Sequence, residues 1–140
     1  MRVFLDANIL FSAARSDGAV RQLLRLTVAA GHECWVDAYV EAEARRNLEV
    51  KAPDSVIVLD RLLSKCMTGA FLPMDSAMNA ILGTLPVDDR PVLAAAIRLR
   101  CDVLITGDKR HFGPLYGRRI QGVTVHSPAS LFSGVLSGRK

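Results

Sequence analysis

No apolar run in this chain approaches the roughly 20 residues that a membrane-spanning helix needs. The opening Met1-Arg2-Val3-Phe4-Leu5-Asp6 does not read as a signal peptide, because its apolar part is short and meets a carboxylate at once. A cytoplasmic location, with residue 1 starting the fold, is therefore the expectation. Cysteines are few: Cys34, Cys66 and Cys101. An odd count fits no closed disulfide framework, and the spacing fits no zinc pattern. Reduced, mostly buried thiols are expected. Aromatic residues make up only 6% of the chain. No aromatic row of the kind that stacks single-stranded bases is apparent. Trp35, Tyr39 and Tyr116 read as packing or rim residues. Internal repeats, low-complexity segments and linkers are also missing.

What is present is an ordinary globular composition. The 140 residues suit one domain with one core, spanning 1–140, with 50% hydrophobic and 23% charged residues. Lys and Arg total 18 against 14 acids, a net charge of +4. That mild excess is compatible with a polyanionic partner without establishing one. The bases cluster at Arg45-Arg46, Lys109-Arg110-His111, Arg118-Arg119 and Arg139-Lys140. Each cluster reads first as solvated surface.

Short β-like runs alternate with helical patterns. Strands are expected over residues 2–5, 33–36, 70–72, 102–106 and 122–125. Helices are expected over 8–14 and 19–30, broken near Ser16-Asp17-Gly18 and ended by Gly31. Asp37 can cap a helix running to about residue 51, and Pro53 opens another through residue 63. Further helices fall at 76–82 and 88–100, and Ser127 can cap a short final one. The alternation predicts an α/β fold: a three-layer sandwich with a central parallel sheet of four to five strands flanked by helices. Such sheets bind ligands outside the carboxyl ends of their strands, at a switch in strand order. Asp6 and Asp108 each stand where an expected strand stops.

Two more acids fall where apolar residues belong. At about 100° per residue, Tyr39, Val40, Ala44, Leu48 and Val50 share one arc, and Glu43 and Asn47 lie inside it. Glu41 lies on the other face, with Arg45 four residues on as its partner. A carboxylate at Glu43 is costly unless a cation or hydrogen bonds compensate. On the next helix Val92, Leu93, Ala96 and Ile97 define the arc, and Asp89 lies within it. Asp88, at the edge, is assigned the N-cap, with Pro91 tolerated in the first turn. Carboxylates brought together repel, and a hard divalent cation relieves the repulsion. An oxygen-only set from Asp6, Glu43, Asp89 and Asp108 suits Mg²⁺ or Mn²⁺. Phosphodiester hydrolysis is the reaction class that fits.

These residues resemble those of the PIN-domain nucleases, including the VapC-like toxins of bacterial toxin–antitoxin pairs. The resemblance runs from Val3 to about Leu131. It rests on Leu5-Asp6-Ala7-Asn8 with Ser12 a turn later, and on Glu43-Ala44-Arg45-Arg46-Asn47-Leu48. It rests equally on Asp89-Arg90-Pro91-Val92-Leu93-Ala94-Ala95-Ala96 and Thr106-Gly107-Asp108-Lys109-Arg110-His111-Phe112. It implies metal-dependent cleavage of RNA. Asp6, Glu43, Asp89 and Asp108 would bind metal or orient water, and Asn8, Ser12 and Thr106 would hold the acids or a phosphate. It also implies a small antitoxin partner over the active-site groove, and a homodimer. Ala7 stands where many relatives have Thr. Arg110 stands where some have another Asp, which leaves a second metal site incomplete. Arg110 can instead contact substrate phosphate. Two other readings fit parts of the pattern. One is a haloacid-dehalogenase-like phosphatase with Asp6 as nucleophile, although Asn8 stands where that family wants a second Asp. The other is a non-catalytic metal- or RNA-binding module.

Overall fold

The computed structural model describes residues 1–136. Arg139-Lys140 therefore lies outside the described residues. Six strands form one sheet: β1 (Arg2–Leu5), β2 (Glu33–Asp37), β3 (Met67–Gly69), β4 (Val103–Ile105), β5 (Arg119–Ile120) and β6 (Val123–His126). Their order is β3-β2-β1-β4-β6-β5, parallel except for the last pair. Val3 aligns with Cys34 on one side and Val103 on the other, so β1 and β4 occupy the middle. Val3, Phe4, Leu5, Val103, Leu104 and Ile105 are all buried. That continuous burial explains why these strands read as apolar runs without alternation.

The helices are α1 (Ala7–Arg15), α2 (Ala19–Ala29), α3 (Ala38–Lys51), α4 (Val56–Leu63), α5 (Ser76–Ile81), α6 (Arg90–Arg98), α7 (Lys109–Phe112) and α8 (Pro128–Leu131). Helix α1 packs against α2, α3 and α4, while α6 packs on β4. The crossovers through α1–α4 progress from β1 to β3, and those through α5–α7 run the other way, from β3 to β4 and β6. Right-handed crossovers put such sets on opposite faces of the sheet. The strand order therefore reverses between β1 and β4.

Local chemistry explains most element ends. Asp37 caps α3 by accepting from Val40 N at 3.0 Å, and Ser127 caps α8 in a reciprocal capping box with Ser130. Gly31, at φ 90°, supplies the left-handed residue that ends α2. Pro53 opens a 3-10 turn, Pro53–Ser55, before α4 begins.

The structure corrects several expectations. The third strand lies at Met67–Gly69, upstream of 70–72, because Met67 and Gly69 are the residues in register with Trp35 and Asp37. Phe71 instead leaves the sheet and stacks on Tyr39, ring centroids 5.6 Å apart. The sheet exceeds four to five strands because β5 and β6 form an edge hairpin. Its turn, Gln121-Gly122, has φ values of 49° and 87°, the backbone sign that a two-residue hairpin demands. The apolar stripe of α3 is narrower than expected: Val40, Ala44 and Leu48 are buried, whereas Val50 is 80% exposed. Asp88 is not the N-cap of α6. It lies in a 3-10 turn, Val87–Asp89, and Asp89 takes the cap position without a side-chain cap bond.

Candidate metal centre at the strand switch

The ends of β1 and β4 are locked together beyond the strands themselves. Asp6 N donates to Ile105 O at 3.1 Å, and Thr106 N donates to His126 O at 3.0 Å. Side chains leaving this point are therefore held by the sheet ladder. Asp6 is only 6% exposed. One of its oxygens, Oδ1, accepts from Ala7 N at 2.7 Å, so Asp6 is also the N-cap of α1. The other, Oδ2, accepts from Thr106 Oγ1 at 2.7 Å and from Asn8 Nδ2 at 3.2 Å.

Asn8 and Thr106 tie this carboxylate to the β4 turn. Thr106 Oγ1 accepts from Asp108 N at 3.1 Å, and Asn8 Oδ1 accepts from Gly107 N at 2.8 Å. Tyr116 completes the turn by donating its hydroxyl to Thr106 O at 2.8 Å. Ser12 lines a groove of about 450 Å³ together with Asn8, Gly107 and Asp108.

Asp108 caps α7 through Oδ1, which accepts from His111 N at 3.2 Å. This cap brings the His111 ring back over the site. Its Nδ1 lies 3.2 Å from Asp108 Oδ2 and 2.9 Å from Asp89 Oδ2. Asp89, Asp108 and His111 each present a ligand atom within 4.8 Å of the others. Asp89 Oδ2 is buried and lacks an aligned hydrogen-bond donor. His111 Nδ1 is the polar group that faces this oxygen, 2.9 Å away, and a cation seated among the three groups would satisfy it as well.

Electrostatics place the remaining acids around the same point. Burial pushes the Asp6 carboxyl up to about 6, hydrogen bonds from Thr106 and Ala7 oppose the rise, and the charges of Glu43 and Asp108 add to it. Burial also raises Asp89, with His111 opposing and the charges of Asp108 and Asp88 adding. Tyr39 is raised by burial and then by the charges of Glu43, Asp88 and Asp6. Half-buried Glu43 thus faces Asp6, outside the closest cluster. Glu41 points away and pairs with Arg45 at 3.5 Å. Asn8 and Arg110 are exposed, Arg110 on α7 beside the acids.

His111 and Tyr116 are the participants that sequence reasoning missed. His111 stands three residues after Asp108, the spacing that returns a side chain to a capping residue, a signal masked by its place in a basic cluster and in the Thr106–Phe112 motif. It also alters the donor set, which is not oxygen-only once an imidazole nitrogen joins two carboxylates. The cysteines take no part. Cys34 and Cys101 are buried, Cys66 half-buried, and all three are free thiols. Burial pushes Cys34 and Cys101 up to about 12 and Cys66 to about 11, which leaves them inert.

No protein-family model matches the sequence, and no curated protein matches it. Solved structures do. A chain of VapBC2 from Rickettsia felis, crystallised bound to a DNA fragment from their promoter, superposes with a TM-score of 0.65 at 18% identity, covering 91% of this chain and 98% of that one. A chain of VapBC-1 from nontypeable Haemophilus influenzae gives 0.60 at 14% identity, covering 92% and 99%. Identity that low speaks for architecture, and the agreement spans nearly both whole chains. The protein shares the fold of these VapBC chains.

Proposed function

We propose that this protein is a Mg²⁺- or Mn²⁺-dependent endoribonuclease, the toxin of a type II toxin–antitoxin pair. The observation that carries the reading is the convergence of Asp89, Asp108 and His111, whose ligand atoms lie within 4.8 Å of one another. Asp6 and Glu43 lie outside that cluster, and their charges would extend the acidic site at the switch in strand order.

Asp6, Glu43, Asp89 and Asp108 would hold or orient the metal site, with His111 as an added nitrogen donor. A bound divalent ion would lower the pKa of a coordinated water and offset charge on a phosphoryl oxygen. Thr106 and Asn8 orient Asp6 through its Oδ2. Ser12 lines the groove beside Asp108, within reach of a substrate phosphate there. Lys109 and Arg110 supply positive charge on the rim, where a guanidinium can grip phosphate bidentately. An antitoxin that covers this groove would block it, in keeping with the VapBC complexes that share the fold. A homodimer belongs to the same reading.

The test is cleavage of a mixed RNA pool by purified protein with Mn²⁺ or Mg²⁺, with Asp108→Asn as control. The reading expects metal-dependent cuts that the variant loses. Equal cutting by both proteins, or undiminished cutting in chelator, would overturn it. A trapped phosphate ester on Asp6 would favour the phosphatase reading instead.

A further inference from the structure

The groove beside Asp108 does not end at the polar residues. Val20 and Pro128 line it and also line a second cleft of about 450 Å³ between α2 and the segment that begins at α8. Leu23, Leu26 and Phe132 give that cleft an almost wholly apolar wall, and Gln22 adds an amide to its lining. Leu26 and Phe132 are large apolar residues left open to solvent, Phe132 at 46% exposure.

We infer that this cleft is a nucleobase-binding subsite, seating one base of a single-stranded RNA whose scissile phosphate lies at Asp108. The inference rests on the ribonuclease reading and extends it to substrate choice. A phosphate is a poor occupant, because among the described residues the lining offers no cation to offset its charge. Each phosphate of RNA is followed by a ribose that carries an uncharged base, and the flat apolar face of that base suits an exposed ring such as Phe132. The volume lies within the roughly 300–1,000 Å³ of small-molecule pockets, so a purine or a pyrimidine has room. Gln22 can donate to or accept from a base edge, which makes it the residue that would discriminate among bases. Continuity through Val20 and Pro128 allows one strand to occupy both hollows at once.

The experiment compares Asp108→Asn with Asp108→Asn carrying Phe132→Ala, so that affinity is read without cleavage. Short single-stranded RNAs carry an abasic unit at each position in turn. One abasic position is expected to weaken binding about tenfold, the size of a lost base–aromatic stack. Phe132→Ala should weaken intact RNA by a similar factor and remove sensitivity to that position. Gln22→Ala should flatten preference among bases there. Both substituted side chains are exposed, so neither change threatens the fold. Additive losses, an unchanged affinity in Phe132→Ala, or no RNA binding at all would overturn the subsite. Affinity that follows the expected pattern, with no cutting by the native protein in Mn²⁺, would keep the subsite and sink the nuclease reading. Cutting that ignores Phe132 and Gln22 would do the reverse, as expected if a protein partner fills the cleft instead.

Discussion

Thr106 Oγ1 donates to Asp6 Oδ2 at 2.7 Å, and the same oxygen accepts from Asp108 N at 3.1 Å. One hydroxyl thus joins the carboxyl ends of the two central strands and sets the spacing of two acids. Thr106→Val keeps the shape and deletes both bonds, together with the longer one that the hydroxyl accepts from Asn8 Nδ2 at 3.4 Å. Divalent-ion affinity is expected to fall about 10- to 100-fold, the usual cost of losing a group that orients a ligand. Stability should fall by about 1–2 kcal/mol, because a buried Asp6 oxygen loses its shortest donor. Isothermal titration and urea unfolding read these two effects separately, and unchanged metal affinity would remove Thr106 from the orienting role.

The raised Asp6 carboxyl makes metal-free stability depend on pH. In the folded chain Asp6 keeps its proton up to about pH 6, whereas the ordinary value is 3.8. Between those values the folded state holds more protons, so stability falls as pH rises. The loss is complete above about pH 6 and corresponds to about 3 kcal/mol. Asp6→Asn removes this contribution. It should exceed the native protein by about 2 kcal/mol at pH 7.5 in chelator, a little less than the full shift because an amide oxygen that accepts from Thr106 and Asn8 leaves an NH2 group facing Ala7 N, where the carboxylate accepted a bond. The advantage should vanish near pH 4. A difference that does not change with pH would show that Asp6 is not perturbed by burial.

Glu41 and Glu43 offer an internal control on one helix. Glu41 pairs with Arg45 at the surface, and Glu43 faces Asp6. Glu41→Gln should leave cleavage within about twofold, since exposed i,i+4 pairs contribute only about 0.3–0.5 kcal/mol. Glu43→Gln should reduce kcat by about a hundredfold or more, the scale of lost acid–base or electrostatic groups. Equal effects would remove the distinction drawn between them.

His111 bears on which ion binds. Its Nδ1 lies within 3.2 Å of a carboxylate oxygen on both Asp89 and Asp108. A nitrogen donor favours transition-metal ions over Mg²⁺. His111→Ala should therefore weaken Mn²⁺ more than Mg²⁺ and narrow any preference of the native protein for Mn²⁺. Parallel titrations with the two ions check this, and equal weakening of both would exclude His111 as a selective donor.

The parts of this architecture that local rules control were readable in the sequence. Apolar runs gave β1, β2, β4 and β6, and Asp37 and Ser127 were recognisable as caps. Strand ends alone located Asp6 and Asp108. What escaped depends on tertiary pairing. Strand β3 is short and exposed, so its position follows from register with β2 and not from hydrophobicity. The Gln121-Gly122 turn lacks the Asn-Gly or Asp-Gly pattern that marks such hairpins, and β5 went unseen with it. Asp88 was given the cap because helix starts shift by a residue or two when a 3-10 turn precedes them. His111 was hidden because α7 is a single turn, and only the fold carries its ring to Asp89.

The most direct measurement is Mn²⁺ binding followed by electron paramagnetic resonance, on the native protein and on the Asp89→Asn, Asp108→Asn double variant. The account predicts about one tightly bound ion per native chain, with three protein ligand atoms clustered in one place to hold it, and loss of that binding in the double variant. Native protein that binds no Mn²⁺, or a double variant that binds it equally well, would contradict the assignment of this acidic site as a metal centre.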